Sequence, residues 1–163
     1  GLIGFGAIPQ RLAPVLRALG AHVIHTSRTP RHEGWHPLAD LLARADVVSL
    51  HVPLTDETRR LIDADSLGLM KPGAVLINTA RGGLVDEPAL IDALRSGRVR
   101  AAGLDVFAEE PARSANPLFA LENVIVSPHV AWLTPETLAR SIHVAMENSR
   151  LLRDGGTLLN RVV

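Results

Sequence analysis

The sequence predicts an α/β fold: a doubly wound, mostly parallel sheet with helices on both faces. Three observations point there. Short apolar runs alternate with helical patterns along the chain, the order expected of βαβ units. Those runs are continuously apolar, as in strands covered on both faces. The stretch "GLIGFG" (1–6) is a strand and a glycine turn leading into an apolar helix face.

The elements follow in order. "GLIG" (1–4) is the first strand. Ile8, Leu12, Val15, Leu16 and Leu19 fall on one helix face, and Gly20 ends that helix. Pro14 removes a hydrogen bond inside it, so a kink or a late start is expected. "AHVIHTS" (21–27) is the second strand. "HPLADLLARA" (36–45) is a short helix with Pro37 near its start, and "DVVSLHV" (46–52) is the third strand. "DADSLGLM" (63–70) makes a helical turn or two, "KPG" (71–73) a turn, and "AVLINT" (74–79) the fourth strand. "DEPALIDALRSG" (86–97) is a helix with Asp86 as N-cap and Gly97 as its stop. "VRAAGLDV" (99–106) and "NVIVSP" (123–128) are two more strands. The last helix, within 134–156, is capped by Thr134 with Pro135 at its first position.

Composition narrows the function. The 163 residues suffice for one domain with a real core. Lys and Arg balance Asp and Glu at 17 each, so no excess charge argues for nucleic acid or an anionic membrane. No apolar run approaches the roughly 18–20 residues that span a bilayer. There is no cysteine, hence no disulfide framework and no thiolate chemistry, which suits a reducing, cytoplasmic location. No signal peptide is visible. The chain opens inside a short strand without an initiator Met. It is therefore expected to be a segment of a longer protein, with residues 1–163 forming a dinucleotide-binding domain.

The cofactor expectation starts at "GFGAIP". Gly4-x-Gly6 begins the G-x-G-x-x-G fingerprint of a Rossmann-type fold, but Pro9 stands where the third glycine belongs. The first two glycines serve the tight turn and the approach of backbone to pyrophosphate. The amides of Ala7 and Ile8, which would face the phosphates, are untouched. Proline lacks an N–H, but a first-turn residue has no intrahelical acceptor for one. Pro9 thus bears on packing more than on anion binding. NAD sites place an acid at the end of the second strand for the ribose 2′-OH. Here that end reads "HTSRTPRH", with Ser27, Arg28, Thr29 and Arg31 and no acid. Hydroxyls and guanidinium suit a 2′-phosphate, so NADP(H) is preferred, with NAD(H) still open.

Three chemistry-bearing residues follow strands: Arg81 in "NTARGG", Glu110 in "GLDVFAEEP" and His129 in "SPHVAW". In a parallel sheet they share one rim. With "GFGAI", "HVPLTDETRRLID" and "MKPGAVLINTARGGLVDEPALIDAL", these segments occur in the order found in the D-isomer-specific 2-hydroxyacid dehydrogenases, whose cofactor domain the chain resembles over nearly its whole length. Pro9 and the basic second-strand end depart from the family pattern; the latter resembles the NADP-using glyoxylate/hydroxypyruvate reductases.

The resemblance implies roles. Arg81 would bind the substrate carboxylate and polarise the keto oxygen, His129 would be the general acid, and Glu110 would orient His129 and favour its protonated form. Asp105 would hold the nicotinamide carboxamide, while Val52, Pro53, Thr58, Thr79 and Ala80 would line the cofactor cleft. Trp132 either lines the substrate pocket or packs as a core aromatic. Glu109 is expected to be exposed. The other histidines have no metal spacing, so no metal site is expected. The family's substrate-binding domain has no counterpart here, and the family's homodimer is expected. The reading is an oxidoreductase passing hydride between NADP(H) and a small 2-oxo or 2-hydroxy acid, glyoxylate or hydroxypyruvate by preference. The alternative is a nucleotide-sensing interaction protein, since the C-terminal-binding-protein corepressors resemble this chain at "ARGGLVDE" and at His129-x-Ala131-Trp132. A third reading changes the acceptor to phosphite or formate; formate enzymes carry Gln where Glu110 stands.

Overall fold

The computed structural model describes residues 1–30 and 33–161. Among them are β1 (Leu2–Ile3), α1 (Ala7–Ala18), β2 (His25–Thr26), α2 (Leu38–Arg44), β3 (Val47–Leu50), α3 (Ala64–Leu69), β4 (Ala74–Asn78), α4 (Glu87–Arg95), β5 (Val99–Leu104), β6 (Val124–Val126) and α5 (Pro135–Arg153). Every pairing is parallel, in the order β2-β1-β3-β4-β5-β6. The chain winds one way from β1 to β2 and the other way from β3 onward. The reversal lies between β1 and β3, where open α/β sheets form their ligand crevice.

Two neighbouring residues show why both faces carry helices. Leu2 packs with Ala13 of α1 and with Val23. Ile3 points the other way, into the larger core with Leu41 and Leu42 of α2, Leu67 of α3 and Leu90 and Leu94 of α4. Successive strand residues face opposite sides, so one dipeptide contacts both layers.

The chain divides into two compact units, Gly1–His129 and Val130–Val163. The first holds the sheet and α1–α4. The second holds α5, whose Thr134 Oγ1 accepts from the Thr137 N–H at 3.1 Å, as the capping pattern predicts. Asn148 anchors the chain after α5: its Oδ1 accepts from the Leu159 N–H and its Nδ2 donates to the Leu159 carbonyl.

The local signals hold at several ends. Asp63 Oδ1 accepts from the Ser66 N–H at 2.9 Å, and Asp86 Oδ1 from the Ala89 N–H at 3.3 Å. Gly20 and Gly97 follow their helices with φ of 87° and 75°, the left-handed stop that favours glycine. Two expectations are corrected. α1 does not start late: it begins at Ala7 directly after Gly6 and continues through Pro14 to Ala18. Pro9 sits in its first turn, where no N–H is needed, and is buried. The second strand is much shorter than 21–27, because β1 offers only two residues to pair with it. No helix among the described residues is long and apolar enough to cross a membrane.

Candidate active site

The crevice begins at the turn after β1. Gly4 has φ of 95°, and a Cβ there would lie 2.5 Å from the His51 carbonyl oxygen, so only glycine fits. Gly6 caps α1 in an extended conformation, and a Cβ on it would meet nothing within 4 Å. Ala7 and Ile8 are exposed beside that space, their amides belong to the first turn, and no acid stands there. An open, electropositive helix N-terminus suits a phosphate. This turn fits a dinucleotide.

The end of β2 is partly committed to itself. Ser27 Oγ donates to the Thr29 carbonyl at 2.8 Å, and Trp35 Nε1 donates to the Ser27 carbonyl at 3.1 Å. Arg28 and Thr29 are exposed. Arg31 lies outside the described residues. After β3, Val52 crowds Gly4, its Cγ1 lying 2.9 Å from where a Gly4 Cβ would stand. Thr58 Oγ1 donates to the Pro53 carbonyl at 2.7 Å and accepts from the Thr55 N–H at 2.8 Å, so this hydroxyl shapes its own loop. Glu57 was not singled out from the sequence. The Thr55 hydroxyl, first, holds its carboxyl below the usual range, and the nearby Arg28 charge adds to the effect.

The rim that carries Arg81, Glu110 and His129 is built from β4, β5 and β6. Buried Asn78 closes the turn after β4: its Oδ1 accepts from the Ala80 N–H at 3.0 Å, and its Nδ2 donates to the Arg81 carbonyl at 2.9 Å. That leaves Thr79 and Arg81 exposed, with Ala80 half-buried between them. Arg81 Nη1 donates to the Ala80 carbonyl at 2.6 Å. After β5, Asp105 is buried and accepts from Ser127 Oγ at 2.5 Å. Its carbonyl accepts from the His129 N–H at 2.8 Å. His129 has φ of 55°, a left-handed conformation uncommon outside glycine that is typical of functional positions.

His129 Nδ1 lies 2.7 Å from Glu110 Oε2. An ionised carboxylate only accepts, so Nδ1 donates. Glu110 Oε1 accepts from the Phe107 N–H at 3.0 Å. Desolvation pushes the Glu110 carboxyl upward, but the His129 and Phe107 hydrogen bonds and the His129 and Arg81 charges together hold it below its ordinary value. Glu110 thus feels both of the other candidate residues. A cavity of about 310 Å³ borders the pair, walled by Phe107, Pro111, Phe119 and Val126. A larger cavity, about 800 Å³, lies at the opposite edge around Gly1, Ala21, Asp46 and Val47, away from every candidate residue. Trp132 belongs to the second unit and is largely exposed, at 54%.

Sequence reasoning missed Asn78 and the left-handed backbone at His129. Asn78 left one signal, a polar residue inside the apolar run "AVLIN". The conformation of His129 left none, since the Asp105 carbonyl that holds it lies 24 positions earlier in the chain.

A parallel sheet reversing between β1 and β3, with a glycine turn opening α1 at that point, defines a dinucleotide-binding domain of the Rossmann type. The chain belongs to the D-isomer specific 2-hydroxyacid dehydrogenases: residues 1–131 match the family's NAD-binding domain. A glyoxylate reductase of Aeropyrum pernix is 43% identical across all of this chain and 52% of its own length. A crystal structure of D-lactate dehydrogenase with NAD+ from Lactobacillus jensenii is similar at TM-score 0.91, with 34% identity over all of this chain and 54% of that one. An acyclic imino acid reductase in complex with NADPH and D-Arg is similar at TM-score 0.92, also with 34% identity, over 100% and 53%. The chain spans about half the length, or less, of the curated relatives it matches.

Proposed function

We propose that this chain is the cofactor-binding part of an oxidoreductase that passes hydride between NADP(H) and a small 2-oxo or 2-hydroxy acid, glyoxylate or hydroxypyruvate by preference. The observation that carries the reading is the 2.7 Å His129–Glu110 pair on the rim that also presents Arg81. Gly4, Gly6 and the amides of Ala7 and Ile8 would hold the pyrophosphate, and Asp105, Thr79, Ala80, Val52 and Pro53 would contact the rest of the dinucleotide. When bound, the dinucleotide supplies or accepts the hydride. Arg81 holds the substrate carboxylate with its planar fork of donors and polarises the carbonyl oxygen. Glu110 fixes the ring of His129, so that Nε2 exchanges the proton with the substrate oxygen. The guanidinium of Arg81, exposed on the rim, agrees with an oxo acid. The preference for NADP(H) rests on Arg28, exposed at the end of β2.

The test is a steady-state assay of the protein that carries this chain, with NADPH and NADH against glyoxylate, hydroxypyruvate and pyruvate. Oxidation of NADPH with glyoxylate or hydroxypyruvate is expected. Binding of either dinucleotide without its oxidation by any acid would overturn the enzyme reading. We also infer that the protein pairs with a second copy, which light scattering would read as twice the monomer mass.

A further inference from the structure

Two loops carry the reactive side chains: the turn after β4 carries Arg81, and the segment after β5 carries Glu110. They meet at one peptide, between Phe107 and Ala108. A Cβ on Gly82 would overlap the Phe107 carbonyl, so the two backbones touch there. The amides on either side of that carbonyl are each taken by a carboxylate. The Phe107 N–H donates to Glu110 Oε1, and the Ala108 N–H donates to Glu87 Oε2, both at 3.0 Å. Glu87 is the first residue of α4, the helix that follows Arg81. Its other oxygen, Oε1, accepts from Asn116 Nδ2 at 2.7 Å, and Asn116 Oδ1 accepts from the Leu118 N–H at 2.9 Å. One half-buried side chain therefore ties both ends of the segment 108–116 to the helix behind Arg81. Glu110 lies inside that segment.

We propose that Glu87 is a positioning residue: its carboxylate braces the Glu110 segment, and through Glu110 the imidazole of His129, in register with Arg81. The proposal rests on the reading of Arg81, Glu110 and His129 as the reacting groups. A catalytic constellation works within a few tenths of an ångström, and segments without regular structure drift unless fastened. An acid at a helix N-terminus also has a plain electrostatic use. That use needs neither Ala108 nor Asn116, so the two roles are separable.

Glu87→Gln keeps the size of the side chain but offers one acceptor to two donors. Asn116→Asp keeps the cap on Leu118 but places a second carboxylate against Glu87. The two changes together restore complementarity, since the new amide donates to the new carboxylate while its oxygen accepts from Ala108. Each single change is expected to lower kcat, by up to about 100-fold for a displacement near 1 Å, with the KM for the dinucleotide unchanged. The double variant is expected to recover most of the loss. A second readout does not need turnover: the pH titration of the Glu110 carboxyl carbon by NMR. The charged groups facing Glu110 are His129 and Arg81. Loosening the segment weakens the hydrogen bonds that hold Glu110 low, so its midpoint rises in the single variants and returns in the double. Glu109→Gln, on the same segment with its carboxylate paired to Arg113 at 2.9 Å, is expected to leave both readouts unchanged. If Glu87→Gln does not fold, Asn116→Asp reads the same brace from the other side. Unchanged titration and kcat in the singles, or impairments that merely add in the double, would overturn the proposal. A shifted and rescued titration in a protein that oxidises no dinucleotide supports the brace and overturns the reaction reading instead.

Discussion

Two recorded hydrogen bonds bear on the proposed role of His129. Its N–H is tied to Asp105 and its Nδ1 to Glu110, which sets both the backbone turn and the plane of the ring. Neither bond involves Nε2, the nitrogen assigned to proton exchange. His129→Ala therefore removes the acid without touching Gly4, Gly6 or Asp105. Turnover is expected to fall by about 10²–10⁴-fold, the usual worth of a positioned acid or base, while the affinity for NADPH is retained. Fluorescence titration and single-turnover kinetics separate the two, and an active His129→Ala would remove His129 from the mechanism. The pair also has a pH signature. The folded Glu110 carboxyl sits below its ordinary value, so its contribution to stability is present above the unfolded value and lost as pH falls through the lowered one. With the Glu110 side chain 35% exposed, that contribution is screened and small. From the sequence, the types and order of these residues were legible, because each stands just after an apolar run. The bonds between them were not, because they join residues 19 and 24 positions apart.

Elements fix the positions of these residues, and their ends were read best where a side chain acts locally. Asp86 and Thr134, the caps read from the sequence, each satisfy an amide three residues on, and Asp63, which was not read as a cap, does the same. Asp86→Ala is expected to lower stability by about 1 kcal/mol, read as a shift in urea midpoint at constant slope. A wild-type midpoint would show that the 3.3 Å cap on α4 contributes nothing. The elements read worst were those whose extent depends on a partner. Val23 and Ile24, just before β2, are buried and apolar, yet the ladder is only as long as β1 allows. Pro14 neither delays nor ends α1. Its local cost is real, but α1 is held through Ala13 against Leu2 and Val23, and packing of one face outweighs a single missing bond. Glu87 is the extreme case: the sequence shows only an acid in a first helical turn, while its partners lie 21 and 29 residues away.

At the scale of the molecule, the balance of 17 basic and 17 acidic residues makes one test of cofactor choice unusually clean. A domain with no net charge exerts little long-range pull of its own on a dinucleotide anion. Any strong salt dependence of binding then comes from a local ion pair. NADPH differs from NADH by one 2′-phosphate, and Arg28 is an exposed cation, among the described residues, at the end of β2, where the ribose of such a domain sits. Added salt screens that pairing, since the Debye length falls from about 10 Å at 0.1 M to about 3 Å at 1 M. The dissociation constant of NADPH is therefore expected to rise steeply with salt and that of NADH only slightly, and Arg28→Ala should erase the difference. Glu57 refines the expectation, because its carboxylate stands close enough to feel the charge of Arg28. A 2′-phosphate held by Arg28 would stand near that carboxylate and be repelled by it. Glu57→Gln should consequently tighten NADPH and leave NADH nearly unchanged, by isothermal titration of both. Equal salt slopes for the two dinucleotides, or a Glu57→Gln variant that gains affinity for NADH alone, would remove Arg28 as the basis for preferring NADP(H).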